Sequence, residues 1–244
     1  MIPMNDTLAA RVAGVFVLLS MAAEFAAVGI SYGHGGPAVV NSINFGSGEQ
    51  LAQLSQSNWF VVLLSFGVLA PCLTMVAWLG MYQVLAPGGS TAFCGVIVSS
   101  LGMLVGVVAE AIRLALVMTL PSAYIASSEA ARPAMLALGS LLGNVFRILD
   151  FTSFIVLFAV GVPLIAVAMI RARDLPSWLG WALLVPTLLV GYVAAPLLLL
   201  GRAVGGPFMG VGLNVFFVCF LVIGFKLLRW QPSRDITQVV SSTV

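Results

Sequence analysis

The chain has 244 residues, of which 61% are hydrophobic and only 7% are charged, and its mean hydropathy is +1.14. Soluble domains carry about a quarter charged residues, so this composition excludes a soluble globular protein and indicates a chain built for lipid. The net charge of +2 is too small to favour a nucleic acid as partner. The expected partner is the lipid bilayer.

Six stretches reach the roughly twenty apolar residues that a membrane-spanning helix needs. They cover residues 8–32, 59–85, 92–120, 144–170, 178–200 and 207–228. We therefore predict an all-α, polytopic integral membrane protein with six transmembrane helices in one bundle. Residues 1–230 form this single domain in the prediction, and residues 231–244 form a flexible cytoplasmic tail.

Two segments between the predicted spans have an uncertain role from sequence alone. Residues 33–58 are rich in Gly, Ser, Asn and Gln and read as a loop with one short helical turn near 49–54. Long loops often act as lids, which makes His34 and Glu49 candidate lid residues, although a plain connector fits equally well. Residues 133–143 either lie at the interface or extend the fourth span; we favour the extension.

The basic residues predict the orientation of the bundle. With cytoplasmic termini, two arginines lie outside, namely Arg132 and Arg202, and six basic residues lie inside, as the positive-inside rule requires. The six are Arg11, Arg171, Arg173, Lys226, Arg229 and Arg234. We expect a multi-pass inner-membrane protein with both termini in the cytoplasm and the 33–58 loop on the outer face.

Prolines interrupt three of the predicted spans, and the cysteines are isolated. The prolines are Pro71, Pro163, Pro186 and Pro196, which predict kinks in bent packing or, alternatively, hinges. The cysteines are Cys72, Cys94 and Cys219; none has metal or redox spacing, and we expect buried packing residues. His34 is the single histidine, so we expect no haem, no metal and no other cofactor.

Five ionisable residues lie inside otherwise apolar spans, where a charge is costly unless it is paired or wetted. They are Glu24, Glu110, Arg113, Arg147 and Asp150. Counting about 1.5 Å per residue from the inner helix ends places all five in the outer half of the bilayer. They could therefore meet in one layer and form a polar network.

Spacing predicts two local ion pairs within that layer. Glu110 with Arg113, and Arg147 with Asp150, are each three residues apart and share one helix face. Glu24 has no partner on its own helix. It would then be protonated, hydrogen-bonded to a residue such as Asn144, or free to receive a cation.

Three interpretations of the charged layer stay open. It is a structural network that sets helix register, an outward-opening ligand or ion site beneath the 33–58 loop, or an intramembrane enzyme. The sequence offers neither a Ser/His/Asp set nor a histidine cluster for a metal, so catalysis is the least favoured. Only carboxylate acid–base chemistry would be left to an enzyme.

Three short motifs resemble those of a bacterial six-helix membrane family, domain of unknown function 4386. They are Arg11-Val-Ala-Gly-Val-Phe-Val-Leu in the first span, Phe146-Arg147-Ile-Leu-Asp150 in the fourth, and Leu175-Pro176-Ser177-Trp178-Leu179-Gly180 before the fifth. The resemblance implies a bacterial inner-membrane protein with six helices, and it implies no activity.

The function we expect from these observations is non-catalytic. It is the binding or passage of a small lipophilic or cationic molecule through an outward-facing intramembrane polar site. The alternatives are a subunit of a larger membrane complex, with a membrane-protein partner or a second copy of this chain, and less favoured, an enzyme that uses carboxylate acid–base chemistry.

Overall fold

The computed structural model describes residues 6–34, 44–172, 175–202 and 204–231, and within these ranges it contains helices and connections but no strand. Six of its helices are long and apolar enough to cross a membrane. The predicted all-α bundle of six spans is therefore confirmed. The predicted C-terminal tail lies almost entirely outside the described residues.

The six spans keep the predicted order but include two π-helical segments. The first three are Asp6–Gly33, Asn58–Leu85 and Ser90–Ala126. The fourth joins Arg132–Ile155, the π-helical Val156–Gly161 and Val162–Arg171. The fifth joins Ser177–Leu188, the π-helical Leu189–Ala194 and Ala195–Leu199, and the sixth is Gly205–Leu228.

The connection between the first two spans contains the helical turn that the sequence predicts. It is the short helix Gly48–Leu54, whose Leu51 is buried. Residues 44–47, just before it, pack where the third span leads into the fourth. Phe45 meets Gly139 and Gly46 meets Ser140, both of the fourth span, and Phe45 shares a buried cluster with Leu120 of the third. Residues 44–54 thus cover part of one end of the bundle.

Residues 133–143 form part of one continuous helix, Arg132–Ile155, as the favoured extension predicts. The third span has 37 residues, which at about 1.5 Å per residue is roughly 55 Å, against a hydrocarbon core of about 30 Å. The third and fourth spans are therefore long enough for their connected ends to project past a bilayer as a helical hairpin.

The spans pack in a ring in chain order, each antiparallel to the next, and the sixth returns to the first. Glycine positions show how close these contacts are. Gly14 of the first span lies against Gly224 and Leu228 of the sixth, and Gly80 of the second lies against Ala13. Small residues let membrane helices approach closely, so dispersion contacts replace the hydrophobic driving force that lipid does not supply.

This packing puts the start of the first span and the end of the sixth at the same end of the bundle. Arg11, Arg171, Lys226 and Arg229 are at that end, and Arg132 and Arg202 are at the other. Arg173 and Arg234 lie outside the described residues. Among the described basic residues at span ends, the asymmetry used to predict orientation is therefore present.

Aromatic and aliphatic side chains fill the half of the bundle that contains both described termini, which is its inner half under the predicted orientation. Trp78 of the second span packs on Phe220 of the sixth, with ring centroids 4.9 Å apart, and Phe216 meets Phe158 of the fourth at 5.0 Å. Trp78 and Phe220 are fully buried. This core closes the inner half of the bundle among the described residues.

Prolines explain where the two π-helical segments occur. Val156–Gly161 ends just before Pro163, and Leu189–Ala194 ends just before Pro196. Proline cannot donate the usual backbone hydrogen bond, and a local change to π geometry is one way in which a membrane helix accommodates it. The two segments also meet, because Gly191 lies against the backbone of Phe158 and Ala159.

Two of the three cysteines differ from the expectation of burial. Cys219 is buried, whereas Cys72 is partly exposed and Cys94 is exposed. A thiol on the lipid-facing surface of a helix meets an apolar solvent, so membrane helices do not need to bury it. The prediction of buried cysteines is confirmed for Cys219, is wrong for Cys94, and holds only in part for Cys72.

Candidate functional site

The register of the third and fourth spans brings their embedded charges together. Gly102 lies against Leu157, and one turn further out Gly106 lies against Ser153. The next turn places Glu110 opposite Asp150, because the two helices are antiparallel. The third span has Gly102 and Gly106 in the two preceding turns but Glu110 here. The larger side chain ends the close approach of the two helices at this level.

A cavity of about 620 Å³ opens where that close approach ends. Its size is typical of small-molecule sites. Charged and amide side chains line one part of the cavity, and aromatic rings line a second part. Aliphatic side chains of the fifth and sixth spans line the remaining part. The principal residues are Asn44, Phe45, Glu110, Arg113, Asn144, Phe146, Arg147, Asp150, Phe151, Phe154, Leu198, Met209 and Leu213.

Glu110 and Arg113 form the first of the two predicted ion pairs, with 3.7 Å between Arg113 Nη1 and Glu110 Oε1. The Arg113 side chain is only 9% exposed, and its guanidinium carbon is 5.0 Å from the ring centre of Phe146 and 5.9 Å from that of Phe60. Cation–π contacts of this kind help to compensate a desolvated charge. Arg113 is thus held in place by both a carboxylate and two rings.

The second predicted ion pair is absent. Arg147 and Asp150 do not approach within 4.0 Å, and among the described residues Asp150 has neither an ion pair nor a side-chain hydrogen bond. Arg147 is exposed, and Asp150 is partly buried on the cavity wall. The prediction is wrong because an exposed arginine gains little from an i,i+3 partner and its long side chain can reach polar surroundings instead.

Glu24, on the first span, interacts with an acidic residue of the cavity without lining it. Its carboxylate is close enough to Glu110 to interact electrostatically, and Glu110 interacts in the same way with Asp150. The other oxygen of Glu110, Oε2, is buried and has no hydrogen-bond partner among the described residues. Asn144 is exposed on the cavity lining and makes no hydrogen bond to Glu24, so that predicted contact is not formed.

The 33–58 loop reaches the cavity through residues that the sequence analysis did not select. Asn44 and Phe45 line it, whereas His34 stacks on Trp59, with ring centroids 4.3 Å apart, and Glu49 is exposed on the short helix. Residues 35–43 are outside the described part of the loop. Asn44 and Phe45 therefore contribute to the cavity lining, whereas His34 and Glu49 do not line the site.

Sequence reasoning also missed the aromatic part of the cavity lining, formed by Phe146, Phe151 and Phe154, which we call the aromatic wall. Phe151 and Phe154 follow Arg147 and Asp150 at spacings of three or four residues, which places all four on neighbouring positions of one helix face. That periodicity was visible in the sequence. What it could not show is that this face lines a cavity rather than packing against the next helix.

The cavity offers carboxylates, guanidinium groups, amides and aromatic rings. Among the described residues, no group of three or more His, Cys, Asp or Glu side chains could hold a metal ion. No protein-family model, no curated protein and no solved structure matches the chain. The resemblance to domain of unknown function 4386 stays a prediction.

Proposed function

We propose that this protein binds a small lipophilic molecule with a positive charge in the cavity beneath the 44–47 segment. The observation that carries the proposal is the Asp150 carboxylate, which lines the cavity without an ion pair or hydrogen bond to a described residue. An unpaired carboxylate in a partly buried site attracts a cation, because the cation supplies the compensation that the protein does not.

The aromatic wall supports the same ligand class. Phe146, Phe151 and Phe154 line the cavity together with Asp150, and the faces of their rings carry negative potential. On the opposite side, Leu198, Met209 and Leu213 offer apolar contact. A ligand with a cationic centre and apolar groups matches both surfaces.

Two cavity groups, Arg113 and Arg147, carry a positive charge that opposes a bound cation. Arg113 is paired with Glu110 at 3.7 Å, which leaves Arg147. It stands one turn outward of Asp150, about 4.5 Å along the helix axis, and it is exposed. Water and lipid phosphates at the outer surface screen such a guanidinium far better than the partly buried site screens Asp150. We therefore assign ligand charge selection to Asp150.

Binding rather than passage is the activity that we propose for the described conformation. The aromatic core around Trp78, Phe216 and Phe220 fills the inner half, so a ligand in the cavity has no open route inward among the described residues. Exposed apolar side chains cover the outside of the bundle, as contact with lipid requires, and they do not by themselves favour a protein partner.

A pair of probes with matched shape and opposite charge tests the proposal. Tetraphenylphosphonium and tetraphenylborate are to be titrated into the purified protein in detergent, with binding measured by equilibrium dialysis. We expect saturable binding of the phosphonium and weaker binding of the borate. Equal binding of both probes, or a preference for the borate, would overturn the proposal.

Two variants test whether the phosphonium binds at Asp150. Asp150→Asn removes the charge with little change of shape and should weaken phosphonium binding by about tenfold to a hundredfold, the range for an interaction with a charged group. The matched control is Glu129→Gln, at an exposed acid in the turn between the third and fourth spans. The control should bind as the wild type does; an equal loss in both variants would contradict a role for Asp150.

Acid–base catalysis is a second candidate, which one observation favours: Glu110 and Asp150 both line the same cavity. Two carboxyl groups facing one substrate can act as acid and base. Mass spectrometry of small molecules that copurify with the wild type tests this. A reaction product that is present with the wild type and absent with Glu110→Gln would favour catalysis, and one unchanged ligand in both would favour binding.

A further inference from the structure

We infer that cation binding in this cavity is coupled to the release of a proton from Asp150. The inference rests on the proposed function and adds the coupling of a second ion to it. Its basis is the balance of charges around the cavity floor.

Three carboxylates interact with one another at this floor, and Arg113 acts on two of them. Glu110 interacts electrostatically with both Glu24 and Asp150, and Arg113 is the guanidinium that acts on Glu110 and Asp150. If all three acids were ionised, these four groups would carry a net charge of −2, from three negative charges and one positive charge. Like charges in a partly desolvated site repel one another more strongly than in water, because less solvent screens them there.

The other walls of the cavity do not correct this imbalance. The sixth span contributes Met209 and Leu213, the fifth contributes Leu198, and the 44–47 segment contributes Asn44, none of which carries a charge. Arg147, on the helix of Asp150, is the remaining charged lining residue; it is exposed and more than 4.0 Å from the Asp150 carboxylate. The empty site therefore reduces its negative charge most simply by keeping a proton on one of the acids.

Asp150 is the acid best placed to exchange that proton. Glu110 is compensated by Arg113, and Glu24 does not line the cavity. Asp150 does line it, and no ion pair or side-chain hydrogen bond to a described residue holds its charge. It faces the same space as an entering ligand and the exposed mouth formed by Asn144 and Arg147.

The exchange conserves charge and atoms. The O–H bond of the Asp150 carboxyl group breaks, its electron pair stays on the carboxylate, and the proton leaves to water at the cavity mouth. The cation then takes the proton's place as counterion. One positive charge enters the site and one leaves it, so the net charge of the floor is unchanged.

Tetraphenylphosphonium suits the test because it has no proton to donate. Added to the wild-type protein in weakly buffered detergent solution with a pH-sensitive dye, it should release about one proton per bound ion while Asp150 is protonated. Over the same pH range, the apparent affinity should fall by about tenfold for each unit of pH decrease, as linkage between competing ligands requires.

The variants identify the group. Asp150→Asn should release no proton and bind with a pH-independent affinity, whereas Asp150→Glu should restore proton release because it restores a carboxyl group. Glu129→Gln should behave as the wild type does. Proton release that persists in Asp150→Asn would overturn the assignment to Asp150.

The two proposals fail separately. If the wild type does not bind the phosphonium at any pH between about 5 and 9, the proposed function is wrong. If it binds with the same affinity across that range and releases no proton, the function stands and the coupling is wrong. The wild-type measurement decides both points without depending on the folding of a variant.

Discussion

The thiol of Cys219 in the sixth span donates a hydrogen bond to the carbonyl oxygen of Ala182 in the fifth span, with 3.5 Å between sulfur and oxygen. Pro186 lies four residues after Ala182 and has no N–H to offer that carbonyl. A side chain from a neighbouring helix thus satisfies a backbone group that proline leaves without its usual partner, as membrane helices require.

This relationship predicts the effect of removing the thiol. Cys219→Ala should destabilise the protein by about 1 kcal/mol, because a buried carbonyl loses its donor, and Cys219→Ser should cost less because the hydroxyl can still donate. Thermal unfolding in detergent measures both. Cys94→Ala, at an exposed cysteine, is the control and should change stability by less than about 0.5 kcal/mol. In a Pro186→Ala background, residue 186 has a backbone N–H that can donate to the Ala182 carbonyl, so Cys219→Ala should destabilise the protein less. An equal loss of stability in both backgrounds would contradict the role of the hydrogen bond.

The two i,i+3 charge pairs should behave differently in double-mutant cycles. Glu110 and Arg113 are paired at 3.7 Å, so Arg113→Ala alone should cost about 3 to 5 kcal/mol and the double substitution with Glu110→Ala should cost less than the sum. Arg147→Ala and Asp150→Ala should be additive within about 0.5 kcal/mol, since their side chains are not paired. Free energies of unfolding in mixed micelles measure both cycles. Strong coupling between Arg147 and Asp150 would show that the pair forms in the membrane.

The contact between the two π-helical segments predicts a sharp difference between two glycines. A Cβ at Gly191 would overlap the backbone of Phe158 and Ala159, whereas a Cβ at Gly210 meets nothing within 4 Å. Gly191→Ala should therefore destabilise the protein by more than about 2 kcal/mol, and Gly210→Ala should be neutral or slightly stabilising. The melting temperatures of the two variants test this. Similar values for both would mean that the segments do not pack closely in the bilayer.

Topology can be tested with reporter fusions. Because the described N- and C-terminal ends share one end of the bundle with four of the six described basic residues at span ends, we expect both in the cytoplasm. A reporter that works only in the cytoplasm should be active after Val244, and one that works only outside should be active near Ser47. An externally active C-terminal fusion would invert the orientation and place the cavity on the cytoplasmic side.

The sequence by itself determined the class of this protein, the number of its spans and the level of its charges. Apolar runs of membrane length and a positive-inside bias are local properties, and lipid leaves a helix as the only structure for such runs. Helix rise alone also placed Glu110 and Asp150 at one depth. Even the short helix at Gly48–Leu54 followed from local composition.

Only the tertiary structure decided which side chains meet. The pairing of Glu110 with Arg113 and the separation of Arg147 from Asp150 have the same sequence spacing, so spacing could not distinguish them. The difference arises because Arg113 lies between two phenylalanine rings inside the bundle, while Arg147 is exposed. The cavity likewise depends on where the close approach of the third and fourth spans ends, at Gly106 and Ser153, and helix packing sets that point.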